Sequence, residues 1–142
     1  MTLIVPPTIY KQLTAHLSAA YPNEGAGLLL GEAHGDDRRV RAVLTFENQF
    51  AADEQYHRYL LTAEDMLRGE EQAEALGLDV LGVFHSHPDH PSVASEYDRE
   101  YALPWYSYLI VSVWAGQPTT AQSWRLTDDR QRFDEEPVSI RD

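Results

Sequence analysis

The stretch Val80-Leu81-Gly82-Val83-Phe84-His85-Ser86-His87-Pro88 decides how this chain is read. Its apolar first half fits a buried strand, and Pro88, with no N–H for a ladder, ends it. Successive side chains of a strand point to opposite faces, so His85 and His87 share one face and their imidazoles can converge on a single ion. The apolar run delivers that pair to the strand's C-terminal end, where open α/β sheets commonly hold ligands. His90 lies close by in sequence and reads as a loop residue.

Downstream, residues Ser92 to Ala102 read as a short helix stopped near Pro104. Ser95 and Asp98 sit three apart on it and therefore share a face. The combined pattern, His-x-His-Pro-x6-Ser-x2-Asp, offers two imidazoles and one carboxylate. Three such ligands leave a fourth tetrahedral position open, whereas a structural zinc site is closed by four. An open site of nitrogen and oxygen ligands is the arrangement that activates water. Such a water needs a base, and Glu24 is the candidate, in Tyr21-Pro22-Asn23-Glu24-Gly25-Ala26-Gly27-Leu28-Leu29-Leu30-Gly31. Small residues around it permit close backbone approach, although spacing alone does not bring Glu24 to the histidines. Ser95 carries two compatible readings, a helix N-cap and a group at the site.

The rest of the chain supplies a frame. A helix begins at Pro6-Pro7-Thr8, with Thr8 as its cap, and ends at Tyr21-Pro22. Residues 26–30 and 40–46 read as strands that could pair as a hairpin across the turn at His34–Asp37. A second helix starts at Thr62, with Asp65 as capping-box partner and Gly77 as terminator; Ala63, Met66, Ala73 and Leu76 line one face. Two more strands cover 108–114 and 119–126, separated by a turn at Gly116-Gln117-Pro118. Trp105, Trp114 and Trp124 are expected in the core. His16, His34 and His57 read as ordinary surface or helix histidines. Residues 48–59 lack periodicity; Asn48, Tyr56, His57 and Arg58 either line a substrate groove or, the preferred reading, belong to a solvated loop. The tail from Thr127 is polar and acidic and is expected to pack loosely. Strands interleaved with helices predict an α/β domain with a mixed sheet flanked by helices.

Composition narrows the chemistry. The 142 residues are 43% apolar, enough for one domain with a real core. Cysteine is absent, which removes disulfides, thiolate zinc sites, iron–sulfur clusters and a cysteine nucleophile. The formal net charge of −12 repels phosphate backbones and anionic membranes. No run of about 18 apolar residues occurs, and residues 1–7 lack the features of a signal peptide, so a cytoplasmic location is expected.

The constellation resembles the JAMM/MPN+ (Mov34/PAD-1) zinc metallopeptidase family. That family pairs a glutamate in a Pro/Gly/Leu setting, here Pro22, Glu24, Gly27 and Leu28, with the motif formed here by His85, His87, Pro88, Ser95 and Asp98. The likeness implies a single JAMM/MPN domain over 1–126, cytidine-deaminase-like in fold, with 127–142 as its acidic C-terminal tail. It further implies that His85, His87 and Asp98 hold one zinc ion with water in the fourth place. Glu24 would then serve as general base and afterwards as general acid, and Ser95 would stabilise the oxyanion. Ala26 departs from the Cys found in many bacterial members, at a position that is not a ligand.

The stretch His85–Val113 is especially similar to the short bacterial branch, and the chain has no room for the inserted segments of ubiquitin-chain-cleaving relatives. The substrate this implies is a ubiquitin-like sulfur-carrier protein, cut at an amide or isopeptide bond after its C-terminal Gly-Gly. Neither nucleic acid nor membrane is expected as a partner. Two alternatives rank behind it. One is a non-catalytic MPN-type scaffold. The other is a zinc deaminase, disfavoured because that family needs Cys ligands.

Overall fold

Leu28-Leu29-Leu30 shows how the layers are built. Leu29 packs with Leu13 and Leu17 of one helix, whereas Leu28 and Leu30 pack with Ala73 of another. A strand covered on both faces reads as an unbroken apolar run, and that is why this segment lacks alternation. The structure, a computed structural model, describes residues 2–48, 50–56 and 58–142. The elements are β1 (Thr2–Val5), α1 (Pro7–Ala20), β2 (Ala26–His34), β3 (Asp37–Phe46), α2 (Ala63–Leu76), β4 (Asp79–Pro88), α3 (Glu96–Tyr101), β5 (Ser107–Trp114), β6 (Gln117–Leu126), β7 (Phe133–Glu136) and β8 (Val138–Ile140). A 3-10 turn at Ala52–Glu54 interrupts the loop before α2.

The strands form one mixed sheet in the order β7-β6-β5-β4-β2-β3-β1-β8. Its two edge strands, β7 and β8, are consecutive in the chain and flank Pro137, so the sheet curls toward a barrel. The hairpin of β2 and β3 is present, and β4 runs parallel to β5 after the crossover through α3. Among the described residues no helix is long and apolar enough to cross a membrane.

Phase along β4 is set by a bulge. Its pairing with β2 passes from Leu29↔Gly82 to Leu30↔Val80, leaving Leu81 as the extra residue. Val80 and Val83 therefore fall on the α2 side, while Leu81 and Phe84 fall on the α1 side. Counting on from Val83, His85 and His87 emerge on the side that carries α3. Gly27 makes room for this packing, since a Cβ there would lie 2.3 Å from the Phe84 ring and 2.2 Å from the Leu44 carbonyl oxygen.

Several expectations change. Thr8 is not the cap of α1: Pro6 takes that position and Pro7 starts the helix, where a missing N–H costs nothing. The capping box of Thr62 and Asp65 and the left-handed Gly77 are both present in α2, yet Ala63 and Leu76 are exposed. The helix seats itself through Gly69 and Ala73 instead, because Gly69 lets it approach Leu28 closely. The third helix is shorter than expected and starts after Ser95, since Pro91 and the segment around it are used to build a loop.

The tryptophans do not fill the core as a set: Trp105 and Trp114 are each nearly half exposed, and Trp124 is half-buried. The tail is not loose. Residues 133–136 and 138–140 are strands of the sheet, and Glu136 is buried, accepting hydrogen bonds from Ser107, Ser123 and Arg125. Its composition misleads because β7 and β8 are edge strands, whose outward side chains remain polar.

Candidate metal centre

Three segments meet at the C-terminal end of β4. β4 itself supplies His85 and His87, whose ring centroids lie 5.2 Å apart. α3 supplies Asp98 through its first turn. The Ser95 hydroxyl accepts the Asp98 N–H at 3.1 Å, and the Asp98 carboxylate accepts the Ser95 N–H at 2.8 Å. This reciprocal cap holds the carboxylate beneath both imidazoles. Asp98 Oδ2 lies 3.1 Å from His87 Nε2, and Oδ1 lies 3.6 Å from His85 Nε2.

The third segment follows α1. Glu24 Oε1 lies 3.5 Å from His85 Nδ1, so the tertiary structure closes the gap that sequence spacing left open. Backbone bonds aim it: Gly25 N–H donates to Ser86 Oγ at 2.9 Å, and Ser86 N–H donates to the Gly25 carbonyl at 3.1 Å. Asn48 Nδ2 donates to the Glu24 carbonyl at 2.9 Å, so its role is to brace this segment. Glu24, His85, His87 and Asp98 are all buried.

Burial and charge act against each other here. Burial pushes the Asp98 carboxyl up, but the imidazoles of His85 and His87 and the Ser95 N–H pull it well below the usual carboxylate range. Burial pushes His87 down, and the Asp98 carboxylate more than reverses this, so its pKa stands above the ordinary value. His87 Nδ1 donates to the Pro91 carbonyl at 2.9 Å, which leaves Nε2 as the nitrogen for a ligand. The loop carrying that carbonyl is bolted to β5 and β6: Ser112 donates to the His90 carbonyl, Ser92 to Gln122, and the Trp124 indole to the Ser92 carbonyl.

His85 supplies the test of whether a metal fits. Both of its ring nitrogens are buried without a hydrogen-bond partner among the described residues. Leaving two such atoms bare would cost roughly 1–3 kcal/mol each. Glu24, His85 and His87 can each turn one ligand atom to within 4.8 Å of the others, and Asp98 adjoins both imidazoles. A donor set of imidazole and carboxylate without thiolate suits zinc at an open site. The residues present fit the ion.

Tyr59 was not singled out by sequence, yet its ring stacks on His85 at 4.4 Å. Burial raises its pKa well above the ordinary value, with the Asp98 charge acting in the same direction. The only signal was its place before Leu60-Leu61 in an aperiodic loop. Tyr97 was missed likewise, and it receives the Arg58 guanidinium on its face at 4.9 Å. Tyr56 and Arg58 line a cavity of about 440 Å³ with Glu24, His87, His90 and Ser95, and Tyr56 is at the same time 58% exposed, so the loop is solvated as expected and also borders a cavity. His90 is an exposed loop residue at that cavity. His57 lies outside the described residues. His34 is exposed against Glu32, and the half-buried His16 contacts the Ala26 carbonyl at 3.1 Å.

Comparison with known proteins adds an independent line. Residues 6–127 match the family model described as prokaryotic homologs of the JAB domain. The chain is 39% identical over 111 residues to a desampylase from Haloferax volcanii, covering 78% of this chain and 76% of the relative. It is 30% identical over 110 residues to a probable TtuB-protein conjugate cleaving protease from Thermus thermophilus, covering 78% and 70%. A solution structure of a Desulfitobacterium hafniense protein superposes with a TM-score of 0.84 at 30% identity, covering 100% of this chain and 94% of the other.

Proposed function

Because the chain belongs to the prokaryotic JAB-domain family of JAMM/MPN+ zinc metallopeptidases, we propose that it hydrolyses an amide or isopeptide bond after the C-terminal Gly-Gly of a ubiquitin-like sulfur-carrier protein. The observation that carries this reading is the burial of His85 with two unpartnered ring nitrogens between two carboxylates. The names of the Haloferax and Thermus relatives, one a desampylase and one a conjugate-cleaving protease, support the substrate class. The same reading places the mixed sheet and its helices in the cytidine-deaminase-like class of folds, and the protein in the cytoplasm.

His85, His87 and Asp98 would hold the zinc. Both imidazoles turn Nε2 toward Asp98, whereas Glu24 Oε1 lies 3.5 Å from the Nδ1 of His85, and ligand atoms of Glu24, His85 and His87 lie within 4.8 Å of one another. On this reading Glu24 stands beside the ligand set rather than in it. Zinc bound there would supply Lewis acidity to the water nucleophile and to the scissile carbonyl. Glu24 takes the proton from the attacking water and returns it to the leaving nitrogen, which makes one carboxylate both base and acid. The Ser95 hydroxyl oxygen is occupied by the Asp98 N–H, but its own hydrogen remains free to donate to the developing oxyanion. Asp98 is kept ionised by the two imidazoles, as a ligand must be.

The test combines metal analysis of the purified chain with hydrolysis of a carrier protein extended beyond Gly-Gly. One zinc per chain and release of the extension, abolished by chelation and restored by zinc, are expected. A protein without zinc, or turnover unaffected by its removal, would return the chain to the non-catalytic scaffold reading.

A further inference from the structure

Two cavities flank the metal centre, and they differ in chemistry. The first, of about 440 Å³, contains Glu24, His87 and Ser95. The second, of about 530 Å³, is walled by Tyr59, Leu61, Met66, Val83 and Tyr108, with Asp98 at its junction with the centre. Exposed apolar side chains, Leu60, Tyr101 and Leu103, rim it. Among the described residues, Arg58 and Tyr97 are the pair that lines both cavities. Hydrolysis itself has no need of an aromatic hollow this large.

The proton inventory gives the two cavities a direction. The amine leaving a cleaved amide must be protonated, and Glu24 is the group that delivers the proton. Glu24 lines the first cavity and not the second, so the leaving amine belongs in the first. The acyl chain then runs the other way, past Asp98. We propose that the aromatic cavity is the specificity pocket for the acyl partner, receiving a bulky aliphatic or aromatic side chain of the carrier residue immediately upstream of its Gly-Gly. This rests on the hydrolytic reading above.

Other features agree. A chain passing between the cavities must cross the stacked Arg58–Tyr97 pair, where residues without a Cβ pass most easily. Tyr108, one of the phenols lining the cavity, accepts the Leu103 N–H at 2.7 Å, and burial pushes its pKa up to about 12. It therefore stays neutral, and among the described residues the charged groups lining this cavity are Arg58, shared with the first cavity, and Asp98 at the junction.

The test uses the full zinc-loaded chain carrying Glu24→Gln, so that turnover does not enter a binding measurement. The probes are acetylated peptides ending in Xaa-Gly-Gly with a free carboxylate. Phe or Leu at Xaa should bind roughly tenfold or more tightly than Ala or Asp. Leu103→Arg at the rim of the second cavity should erase that preference, whereas Val93→Arg at the first should leave it. A benzoylphenylalanine at Xaa should cross-link, on irradiation, to residues 97–108 and not to 88–95.

Equal affinities for Phe and Ala, or cross-links confined to 88–95, would overturn the proposal. Cleavage of conjugates by the unmodified protein reads the chemistry separately. Metal-dependent cleavage indifferent to Xaa would keep the reaction and reject the pocket. Peptide preference without any cleavage would keep the pocket and reject the reaction.

Discussion

The hydroxyl of Tyr21 donates a 2.6 Å hydrogen bond to a carboxylate oxygen of Asp89. Tyr21 caps the end of α1 three residues before Glu24, and Asp89 follows His87 by two. The bond therefore ties the segment that carries one carboxylate of the centre to the segment that carries one imidazole. The other Asp89 oxygen accepts the Ala115 N–H at 2.9 Å. These two donors, Tyr21 foremost, hold the Asp89 carboxyl below its ordinary pKa.

Tyr21→Phe removes that donor and little else. We expect kcat to fall roughly tenfold with KM and zinc content unchanged, because a small displacement of Glu24 affects proton transfer more than binding. Steady-state kinetics with metal analysis on the same sample checks this. An unchanged kcat would mean that the Ser86 and Asn48 contacts suffice to place Glu24.

Glu24→Gln and His87→Ala should fail differently. The first keeps the shape of the side chain but cannot accept a proton, so zinc is retained and turnover falls by roughly 10²–10⁴. The second deletes a proposed ligand, so zinc is lost along with activity. Equal zinc content in the two variants, by elemental analysis, would contradict the assigned ligand set.

The metal-free and zinc-loaded proteins should respond to pH with opposite sign. In the metal-free chain the pKa of His87 is raised above 6.5. A raised folded value gives stability that is complete below the unfolded pKa and is lost as pH climbs through the folded one. The thermal midpoint of chelated protein should therefore fall as pH rises from the ordinary value of 6.5 through the raised folded one. Zinc binding needs the deprotonated imidazole, so the zinc-dependent rise in midpoint should grow over the same window. Asp98 acts at the other end: its lowered pKa gives stability present above 3.8 and lost as pH falls further, through the folded value. Scanning calorimetry with and without chelator checks both signs.

Glu136 closes the end of the sheet remote from the centre. Its Oε1 accepts from Ser107 at 2.8 Å and from Ser123 at 2.9 Å, while Arg38 donates to Ser107 and lies 4.2 Å from the Trp105 ring. Glu136→Ala should cost about 3 kcal/mol, because it removes the buried carboxylate that pairs with Arg125 at 3.4 Å, accepts from Ser107 and Ser123 and offsets part of the buried Arg38 charge. The pair Arg38→Met with Glu136→Leu should recover part of that loss. Urea denaturation of the three proteins measures it, and a single-variant cost within experimental error would show that the tail contributes nothing.

Much of the site was legible because its signals are local. The two-residue period of a strand puts His85 and His87 on one face. The three-residue step of a helix start puts Ser95 and Asp98 in one cap. The partners of Glu24 were not legible, since the contact with His85 joins positions 61 residues apart. Tyr59 escaped for a related reason: an aromatic residue in a loop without periodicity looks the same whether it faces solvent or an imidazole. Tyr97, although on α3, has its partner, Arg58, 39 residues away in that same loop.

The sequence by itself determined the first two helices and the central strands, the nitrogen and oxygen donors on offer and the absence of thiol chemistry, all of which depend on residue type and short spacing. Only the tertiary structure decided which face of β4 meets α3, because a bulge at Leu81 sets the phase. It also turned an acidic tail into two strands by giving Glu136 two buried serine donors and a half-buried Arg125. Polar composition reports what a segment shows to water; it does not report what the far side of the sheet holds in place.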